Sequence, residues 1–206
     1  MTIDTEGGPD ARAALPRLIT VAPAEFATDY WGRRPLLSRA GDLGAEFSDL
    51  FSLAAVDELV AHRAVRTPFV RMANEGELLP AGRYTSPSGF GAEVGDQLDP
   101  DKVLAEFAGG ATLVLQGLHR TWAPLREFTR TLIEELGHPA QVNAYVTPAS
   151  SRGFDPHYDV HDVFVIQIHG QKHWVIHEPV YEAPLADQPW SDHSDAVAEW
   201  IQPRGR

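Results

Sequence analysis

The sequence predicts an α+β domain, with helices first and then antiparallel strands that build a β-sandwich or barrel. Three observations predict it. Apolar residues recur at helical spacing up to about residue 138. From "QVNAYVTPAS", beginning at Gln141, the period switches to two and stays there through Ile176. The strand-like runs are joined by short turns rather than by crossover helices. At 206 residues the chain suits one sizeable domain. Residues 1–15 are expected to form a flexible terminus and 16–206 the domain, with its helical part over about 20–138 and its β core over about 139–206.

The elements follow in order. "APAEFATDYWG" predicts a short helix with Phe26 and Tyr30 on one face, ended at Gly32. "FSLAAVDELVAHR" predicts a second, with Leu53, Val56, Leu59 and Val60 on its core stripe. "TPFVRMANEG" has the composition of a strand followed by a turn. "YTSPSGFGAEVGDQ" is dense in Gly, Pro and Ser and reads as a loop. In "LDPDKVLAEFAGG", Asp99 is a helix N-cap, Pro100 the first helical residue and Gly109–Gly110 the stop. "ATLVLQGL" reads as a buried strand. "APLREFTRTLIEELGHP" is an amphipathic helix, with Leu125, Phe128, Leu132 and Leu136 inward and Gly137 and Pro139 at its end. Strands are then expected over "DVFVIQI" and "KHWVI", and the segment from Tyr181 onward as loop with at most a helical turn or two.

Composition narrows the function classes. The net charge is −12, from 29 acids against 17 bases, and no Lys/Arg cluster marks a nucleic-acid surface. An acidic surface favours a cationic partner such as a basic protein segment, although acidity also serves plain solubility. No run reaches the roughly eighteen apolar residues of a membrane span, and the N-terminus lacks a signal-peptide core. With no cysteine there is no disulfide, thiolate nucleophile or zinc finger. The cytoplasm is the default compartment.

The chemistry concentrates in "GFDPHYDVHDVFVIQIHGQKHWVIHEP", which holds five of the nine histidines. On a strand, His157 and Asp159 share a face, pairing one imidazole nitrogen with one carboxylate. That is two-thirds of the 2-His-1-carboxylate triad that binds Fe(II) and leaves positions open. Alone, an H-x-D triplet is common by chance. Lys172 alternates with Trp174 and Ile176, and two placements stay open for it. It either lies inward, where a lysine needs an anion, or snorkels to water at the strand end. His161, His169, His173 and His177 read as surface residues. His62, His119 and His138 read as satisfied polar groups at element ends, and Trp31 and Trp174 as core.

"FATDYWGRRPLLSRA" and "NAYVTPASSRGFDPHYDVHDVFVIQIHGQKHWVIHEP" resemble the JmjC-type ribosomal oxygenases of the cupin superfamily, down to an H-x-D, D-x-F-x-x-Q, G-x-[KR]-x-W order. The resemblance implies a double-stranded β-helix (cupin jelly-roll) core carrying N-terminal helices. It implies an Fe(II)- and 2-oxoglutarate-dependent dioxygenase that hydroxylates a protein side chain, a ribosomal protein's among the candidates. It implies His157 and Asp159 as metal ligands and Lys172 as the partner of the distal 2-oxoglutarate carboxylate. Asn143 and Tyr145 fall where the family lines its co-substrate and substrate pocket.

The resemblance departs at the second histidine ligand, which the family carries several tens of residues after H-x-D. Only His193 follows His177, in what resembles a connecting loop. The barrel is therefore expected to be incomplete at the C-terminus. Three accounts stand: a fragment of a longer enzyme, a triad completed by water or His193, or a non-catalytic cupin-type binding protein. A small-molecule hydroxylase with the same site is a further alternative.

Overall fold

The computed structural model describes residues 13–201 apart from 45, 150 and 153, and not the side chains of 200 and 201. The expected flexible stretch thus lies outside the described residues as far as residue 12. The chain divides into two compact units, Met1–Phe51 with Gly117–Val142, and Ser52–Gln116 with Asn143–Arg206.

The first unit is helical. Pro23 opens the short helix Pro23–Glu25, which continues as a wider turn over Phe26–Tyr30, and Phe26 and Tyr30 stack at 6.5 Å as their spacing predicts. Gly32 follows at φ +62, a conformation that favours glycine. The helix Ala123–Leu136 buries Leu125, Thr129 and Leu132 and ends on Gly137 at φ +69. Its Glu135 carboxylate accepts from the backbone N–H of Ala14 at 3.0 Å and of Leu15 at 2.6 Å, so both residues, each buried, are anchored. Arg17 pairs with Asp49 at 2.8 Å and lies over the rings of Phe47 and Phe128.

The second unit holds two antiparallel sheets. One has four strands in the order β2 (Glu77–Leu78), β1 (Val70–Asn74), β5 (Thr112–Leu115), β6 (Ala144–Val146). β5 is buried along its whole length, which is why its sequence is a continuous apolar run rather than an alternation. The β1–β2 hairpin turns on Glu75 and Gly76, at φ +49 and +93, the left-handed pair that a two-residue hairpin loop requires. The helix Leu53–His62 is capped by Ser52, whose hydroxyl accepts from Ala55 N–H; it buries Ala55, Val56 and Leu59 but leaves Leu53 exposed. In helix Pro100–Ala108, Asp99 caps two amides, as its position predicts.

Three expectations are corrected. The "loop" around residue 90 is a hairpin, β3 (Thr85–Ser88) with β4 (Val94–Leu98). Its Pro87 sits where the register shifts between Ser86 and Ser88, a site that tolerates a missing N–H. Arg66 and Thr67 clasp the Asp96 carboxylate at its far end, a contact composition does not reveal. Second, the segments 162–168 and 172–176 carry no strand, because their alternation meets no partner strand among the described residues; only Ala144–Val146 of the expected β core joins a sheet. Phe164 and Ile166 are nonetheless more covered than Val163 and Val165, so the period survives. Third, the last segment forms a 3-10 turn, Trp190–His193, and a helix, Ser194–Ile201. No helix among the described residues is long and apolar enough to cross a membrane.

Two outcomes test these contacts. Glu135→Ala leaves two part-buried amides without their acceptor and should cost about 1–3 kcal/mol in a denaturant melt. Asp49, Asp96 and Asp99 are held below the usual carboxylate range, by hydrogen bonds from Arg17, Thr67 and Ser86 in turn. A lowered folded-state pKa contributes stability above the unfolded value of about 3.9 and loses it as pH falls through the folded value. Melting temperature should therefore drop progressively below about pH 4, and Asp99→Asn should flatten that decline.

Candidate functional site

Strand β6 leads directly into the histidine-rich segment. Its Tyr145, 51% exposed, meets Phe154 edge to face at 5.9 Å; Phe154 meets His157 at 6.3 Å, and His157 lies 5.8 Å from Trp190. Two of the predicted site residues, Tyr145 and His157, are thus brought into one aromatic chain. Trp190 was missed in the sequence because it stands alone in a Pro/Asp/Ser-rich stretch with no period to place it. A chemical signal was available all the same, a lone tryptophan three residues before His193.

His157 is exposed, and its Nδ1 lies 2.6 Å from the backbone carbonyl oxygen of Asp155. A carbonyl only accepts, so Nδ1 is the donor, and the neutral tautomer that matches this contact has its lone pair on Nε2. Backbone carbonyls commonly orient metal-ligating histidines in this way. Asp155 is itself fixed, paired with Arg152 at 2.9 Å and close against Gly76, where an added Cβ would collide with its carboxylate. Asp159 is exposed two residues on, but residues 157–159 run outside any strand, so no sheet holds the two side chains to one face. Among the described residues no three His, Asp or Glu side chains form one metal-sized group. The donor set of His157 and Asp159, one imidazole nitrogen and one carboxylate, fits a ferrous ion as part of a ligand set.

Lys172 is exposed and places Nζ 4.7 Å over the ring of Trp174. The two share a side, as alternation predicts, but that side faces out: Trp174 is 53% exposed and Ile176 is 70%. The expectation of Trp174 as core is thereby corrected, for no strand or helix among the described residues covers it. No hydrogen bond or ion pair joins Lys172 to His157 or Asp159 among the described residues. Asn143 is half-buried just before β6. His161, His169, His173 and His177 are all exposed.

His193 is engaged elsewhere. Its Nδ1 is 3.2 Å from the Tyr181 hydroxyl, with the rings 4.7 Å apart. Tyr158, beside His157, stacks obliquely on Tyr181 and donates to the Gln188 carbonyl at 2.9 Å. Desolvation, then Tyr181 and Asp192, push its phenol above the usual range. His119 accepts from Val142 N–H at 3.2 Å, and desolvation, then Arg120, lower its pKa, consistent with a neutral structural histidine. An open polar cleft of about 500 Å³ is lined by Asn74, Glu75, Gly109, Gly110, Ser151 and Arg152.

Residues 119–201 match the JmjC domain family. The chain is 34% identical over 158 residues to "Ribosomal oxygenase 1" of Gallus gallus, covering 77% of this chain and 25% of that protein. It is 29% identical over 157 residues to "Ribosomal oxygenase 1" of Homo sapiens, covering 76% and 23%. It is 28% identical over 173 residues to "Bifunctional lysine-specific demethylase and histidyl-hydroxylase NO66" of Drosophila persimilis, covering 80% and 23%. The chain spans about a quarter of the length of these relatives.

The His157 contact has a direct readout. Long-range proton–nitrogen spectra of the neutral ring should show Nδ1 protonated and Nε2 bare. A ring protonated on Nε2 would mean that Asp155 does not orient it.

Proposed function

We propose, from the premise that this chain is a JmjC-domain, ribosomal oxygenase-like protein, that it works as an Fe(II)- and 2-oxoglutarate-dependent hydroxylase of a protein side chain. The observation that carries the reading is the hydrogen bond from His157 Nδ1 to the Asp155 carbonyl, which leaves Nε2 outward and ready to ligate. In this reading His157 and Asp159 hold the iron. Lys172 binds the distal carboxylate of 2-oxoglutarate through a charge-assisted hydrogen bond. Asn143 and Tyr145 line the pocket, with Phe154 and Trp190 bracing the His157 ring. When bound, the metal and co-substrate would supply the oxidative chemistry, with O2 as the oxidant: 2-oxoglutarate would lose CO2 to become succinate, taking up one oxygen atom, and the other would enter a substrate C–H bond as hydroxyl.

The double-stranded β-helix core falls to residues 139–206 in this reading and the helical part to about 20–138. The substrate is a protein segment, a ribosomal protein's among the candidates; the relatives named ribosomal oxygenase and histidyl-hydroxylase support that class. The net charge of −12 favours a basic partner.

Anaerobic addition of Fe(II) and 2-oxoglutarate to this chain should raise a saturable metal-to-ligand charge-transfer absorption, lost in His157→Ala and in Asp159→Ala. Lys172→Ala should weaken 2-oxoglutarate binding about tenfold or more, the loss of one charged hydrogen bond. A folded chain that gives no band overturns the assignment.

A further inference from the structure

Strand register sorts the four-stranded sheet into two unlike faces. Arg71 pairs with Val114 and Val114 with Tyr145, so these three side chains form one row on one face. Ala73 pairs with Thr112 two residues on, and Thr112 Oγ1 lies 3.0 Å from Thr147 Oγ1, which fixes Thr147 to that same face. In the other direction Gln116 N–H donates to the Phe69 carbonyl, continuing the β1–β5 pairing by one row. Alternation then sets Gln116 and Asn143 beside Arg71 and Tyr145. The opposite face is apolar, with Val70, Met72, Leu113 and Leu115 all buried.

The polar face has two loose ends. Arg71 is half-buried, its Nε is sealed from solvent with no hydrogen-bond partner, and it forms no ion pair among the described residues. Gln116 Oε1 is likewise sealed and unpartnered. An arginine Nε–H shut from water without an acceptor is costly, and so is an amide oxygen without a donor. The cost disappears if a carboxylate occupies the place: guanidinium and carboxylate match as a two-point fork. Gln116 stands one row from Arg71 on the same face, and rotating its amide by half a turn puts an N–H donor in place of the unpartnered oxygen.

We propose that Arg71 and Gln116 form a carboxylate-binding subsite on the sheet face that carries Asn143 and Tyr145. Two sources share that chemistry: the acid end of a small dicarboxylate, and an acidic side chain of a protein substrate. The subsite deepens the hydroxylase reading and rests on it only for what the face is used for. The carboxylate recognition stands on the sheet geometry alone.

The test uses the 206-residue chain without added metal, so a missing iron absorption does not bear on it. Proton–nitrogen spectra follow the Arg71 Nε–H resonance, identified by its loss in R71K, during titration with succinate, with N-acetylglutamate N-methylamide, and with neutral succinamide. At least one acid should shift the resonance saturably and succinamide should not. The acid should bind at least tenfold more weakly to R71Q. A response to succinate alone assigns the subsite to a small diacid, a response to the glutamate derivative alone assigns it to the protein substrate, and a response to both shows that it reads the carboxylate itself. A resonance unmoved by either acid, or moved equally by succinamide, overturns the proposal. That readout holds on the unaltered chain even if R71Q fails to fold.

Discussion

The double pairing of strand β5 is the constraint on which the second unit depends. All four of its residues pair with β1 along one edge and three of them with β6 along the other, and every one of their side chains is buried. Burial on both faces removes any freedom to slip, because a shift by one residue would exchange the apolar and polar faces of three strands together. The register therefore settles which residues share a surface. It sets Arg71 and Tyr145 two strands apart in one row, and it aims the chain beyond Val146 toward the H-x-D segment.

Beyond β6 different forces act. Residues 147–189 hold no regular element among those described, so position there comes from side chains and turns. The Tyr145–Phe154–His157–Trp190 chain of rings runs from the sheet to the proposed iron ligand, and the Asp155 carbonyl fixes that ligand's ring. A parallel cluster, Tyr158 with Tyr181 and His193, ties the next residue to the C-terminal helical segment. Contacts of this kind are individually worth about 0.5–1.5 kcal/mol. They position groups but do not seal them from water, and His157, Asp159 and Lys172 all remain exposed.

Arg152 and Arg71, both in this unit, show how setting decides the role of one residue type. Arg152 is at the surface, paired with Asp155, where the ion pair is worth little energy and serves to orient. Arg71 has the same head group in a sheet, its Nε shut away from water. There an absent partner matters far more, because the low dielectric magnifies both the cost of isolation and the gain from an anion. A charged ligand is drawn to the second setting rather than to the first.

Local rules made much of the fold legible. Asp99 and Pro100 announced a helix start, Gly137 a helix stop, and the apolar run 112–115 a buried strand, since caps, breakers and burial act over a few residues. The same rules missed the β3–β4 hairpin, whose Gly- and Pro-rich ends disguise strands that Arg66 and Thr67 secure through Asp96. They also predicted strands over 162–176, because alternation states what a segment could pair with and not whether a partner is there. In the site, residue identity and spacing offered His157 and Asp159 as a donor pair and left Lys172 open, and the family resemblance supplied the roles proposed for all three. Trp190 beside His157, the carbonyl that sets its tautomer and the unmatched Arg71 came only from the tertiary structure. Trp190 and the surroundings of Arg71 depend on groups distant in sequence, whereas the Asp155 carbonyl, two residues from His157, depends on a local backbone turn that residue identity does not encode.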